Sequence, residues 1–433
     1  MTPTNGITQT TDTPRARANH AALARLYATR PQWHSVNCAR DAVGLPDHTL
    51  LHAGAPYADP REPSAPVLSS AVLCCLYEGW ARTESEAEQL IANGTVKLVP
   101  AQSYGVVTPL AAVISPTTSL VEVSDAAASD QTARRAWSLL GSGAGAQIRF
   151  GSRDLAILAR LAWRDTVLAP CLSEALATQP IDLLALAAAG LAAGDDLHAR
   201  TTIATQQLSA LLSPRLAACQ RPEHGAAVVA MLQQTPLFFL TLWMAACHLM
   251  LDAASAGGQD AASTLVVALA GNGQTCGIRL AGAPDRWWTC TTGGPLGPRM
   301  NPASTDAIAA LTGDSGVIDS AGFGAQALAV APEIEQVFAP WLPSDWRKQQ
   351  ASLLAGVHPY FADTSSTAAL RCGLDAAAVA TSGVSGVSGV SGTAPLAAIA
   401  MIAADGRTGL LGRGLYSAPA ELFATAVAEL GNG

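Results

Sequence analysis

Residues 237–251 read LFFLTLWMAACHLML, bounded by Pro236 and Asp252 and interrupted by His248. Fifteen residues at a helical rise of ~1.5 Å would span about 22 Å, short of the ~30 Å of a bilayer core. A helix without a polar face must then be covered on all sides by protein. That requirement points to a large fold with structure on both sides of one central helix. The 433 residues suffice for it: a chain of that length buries roughly three quarters of its unfolded surface and needs no cross-links. It divides naturally into two or three domains of about 100–200 residues each.

With 49% hydrophobic and 13% charged residues, the chain is not a mainly disordered one. Its net charge of −8 argues against nucleic acid as a partner, because phosphate binding needs clustered positive charge; a membrane is not expected as one either. Only Lys97 and Lys348 are lysines, the other basic residues being Arg. Coding bias accounts for that, so an anion-binding arginine must be argued position by position. Low charge and many small residues suggest surface buried in a homo- or hetero-oligomer. The nine cysteines have irregular spacing and no C-x-x-C pair, which supports free thiols in a reducing cytoplasm rather than a zinc or redox site. Scattered single histidines make a transition-metal site unexpected, and no motif calls for a cofactor.

The fold class expected is α+β, with two mixed α/β domains and a helical middle domain. Residues 1–17 are read as a disordered tail, 18–151 as the N-terminal mixed domain, 152–260 as the helical domain and 261–433 as the C-terminal mixed domain. Strands are expected at 49–53, 96–99, 105–107, 111–114 and 120–123, and a helix mixed with a glycine-rich stretch at 124–146. Two later apolar runs, 265–269 and 276–280, read as strands joined by a tight turn. The SGVSGVSGVSG segment at 382–392 reads as a flexible loop.

Four constellations could carry chemistry. In Gly194-Asp195-Asp196-Leu197-His198-Ala199-Arg200, a helical backbone would set Asp195 beside His198 and Asp196 beside Arg200. Such an acid–imidazole pair next to an arginine can bind an anion and move a proton; the same spacing equally describes a capped helix start with a surface ion pair. Asn272, Gly273 and Gly277, followed by Arg279, form a glycine turn whose backbone N–H groups can hold a phosphate or carboxylate, or simply close a hairpin. His52 and Gly54 leave a strand for a Gly/Pro loop, where sites tend to sit, though a lone His is as readily structural. Asp314 and Ser315 lie in a run of small residues that permits close backbone approach.

Together with LLHAG at 50–54, AAVISP at 111–116 (ending Ser115-Pro116), RFG at 149–151, NGQTCGIR at 272–279 and the run 313–324, these segments follow a recognisable order. That order resembles the YlbE-like family, whose members include a subunit of oxamate carbamoyltransferase from allantoin degradation, a branch of purine catabolism. The resemblance implies carbamoyl transfer to a small amide or ureide from carbamoyl phosphate, within a complex of several subunits. The residues it would employ are His198 as proton carrier oriented by Asp195, Arg200 and Arg279 as anion holders, and Asn272, Gly273, Gly277, His52, Gly54, Ser115, Asp314 and Ser315 around the substrates. The departures fall on polar positions: Gly141-Ser142-Gly143 stands where Asn-Glu-Gly is usual, and His248 where Lys is common. A non-catalytic partner of an active paralogue is therefore a second expectation, and an amidohydrolase acting on a cyclic ureide a third.

Overall fold

The computed structural model describes residues 13–129, 133–256, 260–362, 370–382 and 393–431. The central element is the helix Phe239–Ser255, whose residues are buried apart from Asp252 and Ser255. It packs against Pro14–Ala28, against the strands Ser119–Asp125 and Arg135–Leu139 on one side, and against Gly316–Ala321 and the strand Val266–Asn272 on the other. An all-round apolar helix sandwiched in this way contributes burial on every face. Among the described residues, no helix is long and apolar enough to cross a membrane.

Two sheets flank it. The first has the order Val106–Val107, Arg135–Leu139, Ser119–Asp125, Pro31–Cys38, Ile181–Asp182, with the first two parallel and the rest antiparallel. The second is antiparallel, in the order Ala283–Thr291, Thr275–Leu280, Val266–Asn272, Thr312–Gly313. A parallel pair, Thr49–His52 with Lys97–Pro100, is joined through the helices Ala65–Tyr77 and Glu84–Ala92. The fold is α+β, as the sequence indicates.

The chain departs from the sequence reading at several places. Pro14–Ala28 is a helix, with Thr13 Oγ1 accepting from Ala16 N at 3.1 Å and Pro14 in its first turn, so 13–17 are ordered; 1–12 lie outside the described residues, as do 383–392 of the Ser-Gly-Val segment. Residues 135–139 form a strand rather than part of a helix. Residues 111–114 contribute only a single bridge, Ile114 to Leu51. Among the described residues of 152–260, helices joined by turns dominate, and the short strand Ile181–Asp182 pairs with Gln32 and Trp33 and ties the helices to the first sheet. One hydrophobic cluster accordingly runs from Ala22 through the helices to Cys372; domain limits at 151/152 and 260/261 remain a proposal. All nine cysteines are free thiols, seven of them buried.

Candidate active site

The segment after the helix Leu183–Ala192 is not helical. Asp196 folds it into a turn by accepting from its own neighbours, His198 N at 3.3 Å, Ala199 N at 3.0 Å and Arg200 N at 2.7 Å, while Leu197 adopts φ +68°. Short acidic side chains compete with helical hydrogen bonding in this way. Asp195 points elsewhere. Its Oδ2 accepts from Ile203 N at 2.8 Å and Ala204 N at 3.0 Å, at the start of the helix Thr202–Ala217. Its Oδ1 lies 3.2 Å from Arg200 Nε, and Arg200 also pairs with Glu333. The expected Asp195–His198 pair is thus replaced by a cap. Asp195→Ala is expected to lower stability by about 1–2 kcal/mol, the range for a lost cap, with turnover unchanged; urea unfolding alongside the steady-state rate checks both.

The carboxylate that holds His198 is Asp319, 121 residues later in sequence, with Oδ2 accepting from Nδ1 at 2.8 Å. Asp319 is fixed through Oδ1, which accepts from Ala325 N at 2.8 Å and Ala398 N at 3.1 Å. Gly324 lies between the pair at φ +60°, where a Cβ would come within 2.9 Å of the His198 Cβ. Both partners are buried. Engagement of Nδ1 fixes the tautomer and leaves Nε2 as the ring nitrogen available for proton transfer.

His198 lines a cavity of about 220 Å³ walled mostly by apolar residues, among them Leu110, Leu237, Leu240, Phe338 and Met300. Three other polar side chains reach it: Ser315, Arg149 and Arg413. Arg149 stands over the Phe150 ring at 4.9 Å, and its Nε has no hydrogen-bond partner. Burial lowers it to about 10, with no carboxylate among the causes, so it is charged at neutral pH and faces the cavity unpaired. Such a guanidinium is suited to a carboxylate or phosphate.

Of the residues singled out in the sequence, the cavity collects His198 and Ser315. The glycine turn lies elsewhere and its donors are already engaged: Asn272 Oδ1 accepts from Gln274 N and Thr275 N, both at 2.9 Å, and Gly273 N donates to Leu311 O at 2.8 Å. Gly277 pairs within the sheet with Ala270 and Thr289. Gly54 is needed where it stands, since a Cβ there would meet the Gly271–Asn272 backbone at 2.6 Å. His52 is fully buried beside Tyr57, its Nδ1 2.8 Å from Ala53 O, and burial lowers it to about 4. Ser115 Oγ is 3.0 Å from Thr118 Oγ1. Arg279 donates to Gln102 Oε1 and Pro284 O. Among the described residues, no group of three or more His, Cys, Asp or Glu stands where it could hold a metal ion.

Asp314 braces the cavity wall from behind. It accepts from Gly54 N at 3.0 Å, Gln102 Nε2 at 2.7 Å and Thr108 N at 2.8 Å, and so fixes Ser315 on one side and the strand leading to Pro109 and Leu110 on the other. Burial raises its carboxyl to about 6. With the folded value above the ordinary ~3.9, this group's stabilisation is complete at acid pH and is lost as pH rises through about 6. The Asp314→Asn variant should therefore gain thermal stability relative to the native chain between pH 4 and 7, by roughly the window these two values define; a pH-independent difference in melting temperature would contradict this.

The α+β chain thus brings a carboxylate-held imidazole and an unpaired arginine into one cavity, groups chemically suited to a small anion and to moving a proton. Residues 96–315 match the family described as oxamate carbamoyltransferase subunit AllG. The oxamate carbamoyltransferase subunit AllG of Escherichia coli K12 is 32% identical over 74% of this chain and 75% of its own length. An uncharacterised protein of the same organism, YahG, is 28% identical over 79% of this chain and 72% of its own length. A crystal structure of a conserved protein of unknown function from Enterococcus faecalis V583 has the same fold, with TM-score 0.86 and 23% identity over 96% of this chain and 98% of that one. The chain belongs to the oxamate carbamoyltransferase subunit AllG family.

Proposed function

We propose that this chain is a carbamoyltransferase subunit whose His198 cavity receives carbamoyl phosphate and a small amide of the oxamate type. The observation that carries the reading is the unpaired Arg149 guanidinium in the same cavity as the Asp319-held imidazole. The phosphoryl group sits against Arg149, with Arg413 at the rim. The acceptor's amide nitrogen attacks the carbamoyl carbon. A C–N bond forms, the C–O bond to phosphate breaks, and its electron pair leaves with the phosphate. The amide proton passes to His198 Nε2, while Asp319 stabilises the resulting imidazolium; the proton then goes to the departing phosphate. Ser315 is placed to hydrogen-bond the carbamoyl oxygen. Preorganised donors of this kind are typically worth ~3 kcal/mol each.

Membership of a family described as a subunit supports activity within a complex, and the exposed Met300 and Leu296 offer apolar surface beside the cavity mouth and the neighbouring loop. Action in the cytoplasm, on an intermediate of allantoin breakdown, belongs to the same proposal. The test is phosphate release from carbamoyl phosphate by the chain with its co-purified partners, in the presence and absence of oxamate. Oxamate-dependent release with a carbamoylated product is expected. Release in no combination, together with no binding of carbamoyl phosphate, would leave the chain a non-catalytic partner.

A further inference from the structure

A second polar cleft, of about 360 Å³, opens away from the His198 cavity and shares none of its lining residues. Its floor is formed by Arg279, His248 and Gln102. Three features set it apart from ordinary surface. The Arg279 guanidinium is held only by neutral oxygens, Gln102 Oε1 and Pro284 O, and its buried Nε has no partner. Its Cζ stands over the Trp287 ring, 5.1 Å from the centroid. The His248 imidazole is 6% exposed and has no hydrogen bond to either ring nitrogen among the described residues, with Nδ1 sealed from solvent. A guanidinium facing neutral acceptors beside an unpartnered imidazole is a costly arrangement unless something of opposite charge completes it.

The other charges around the cleft are mostly matched. Arg134 pairs with Asp252 at 2.8 Å, and Arg135 pairs with Glu122. Asp285 also lines the cleft; Asp314, Asp252 and Asp285 all act on Arg279 from beyond ion-pair distance. Arg279 thus remains the cation whose charge is met by no carboxylate at hydrogen-bond distance.

We propose that the cleft formed by Arg279, His248 and Gln102 is a second binding site, for a small oxyanion, distinct from the His198 cavity. A guanidinium backed by an indole ring, with an imidazole beside it, suits the oxygen atoms of a carboxylate or a phosphate. The proposal stands whether or not the His198 cavity performs carbamoyl transfer.

The test follows the imidazole 15N resonances of the full chain as oxamate, or in a separate arm inorganic phosphate, is added. The His248 resonances are expected to move saturably in at least one arm, and the arm that moves them identifies the anion. They should move equally in Arg149→Met, which disables only the first cavity. In Arg279→Met, and independently in Arg279→Lys should the first variant fold poorly, the dissociation constant read at His248 should rise roughly tenfold or more, as expected for a lost charge-assisted contact. Absence of any His248 response in both arms would overturn the proposal, as would a response that persists unchanged in the Arg279 variants or vanishes in Arg149→Met.

Discussion

His198→Gln is expected to lower the rate of carbamoyl transfer by about 10²–10⁴-fold, the usual contribution of a positioned acid–base group, with little change in the apparent affinity for carbamoyl phosphate. Glutamine keeps a donor for Asp319, so the melting temperature should stay within a few degrees of the native value. Asp319→Asn should be nearly as damaging for a different reason. An amide presents its own N–H to Nδ1 and favours the tautomer protonated at Nε2, which cannot accept the substrate's proton. The comparison with Asp195→Ala is the discriminating one: Asp195 caps a helix and should cost stability alone, whereas Asp319 should cost rate. Steady-state kinetics and thermal melts of the three variants separate these roles.

Arg149→Met should raise the KM for carbamoyl phosphate about a hundredfold, corresponding to roughly 3 kcal/mol of lost interaction with the phosphoryl group. The stability change should be smaller than that of most interior substitutions. The guanidinium is half-buried, with its Nε sealed from solvent, and has no carboxylate partner, so an apolar side chain of similar length removes an uncompensated charge and should leave the fold about as stable. Arg149→Lys should not restore affinity, because a compact ammonium lacks the planar fork. Initial-rate measurements over a range of carbamoyl phosphate concentrations, with urea unfolding of the same preparations, check both parts.

What could be read from the chain was local. The apolar run at 237–251 located the central helix, and the Asn-Gly signal located the hairpin of the second sheet, with Gly271 opposite Cys276 and Gly273 at φ +84°. The strand Pro31–Cys38 escaped notice because a bulge between Trp33 and Ser35 breaks its alternation, and residues 135–139 were masked by the Ala-rich stretch before them and the glycines after. At the site, His198 and Ser315 were recognisable from composition and order. Asp319 was not, because the hydrogen bond that matters joins positions 121 residues apart, while the tempting neighbour Asp195 has the right spacing only for a helix that Asp196 prevents from forming. Arg149 lay inside the RFG segment that carried the family resemblance, but its significance rests on lacking a partner, which only the packed fold reveals. Arg413 gave no signal at all.

The most direct measurement is a crystal structure of the assembled protein with phosphonoacetamide, a carbamoyl phosphate analogue whose methylene cannot be displaced. The phosphonate should lie within hydrogen-bond distance of Arg149, with the amide end directed toward His198 and Ser315. An analogue bound at the hairpin turn, at the Arg279 cleft alone or only on another subunit, with the His198 cavity holding none, would contradict the assignment of this cavity as the place where carbamoyl transfer occurs.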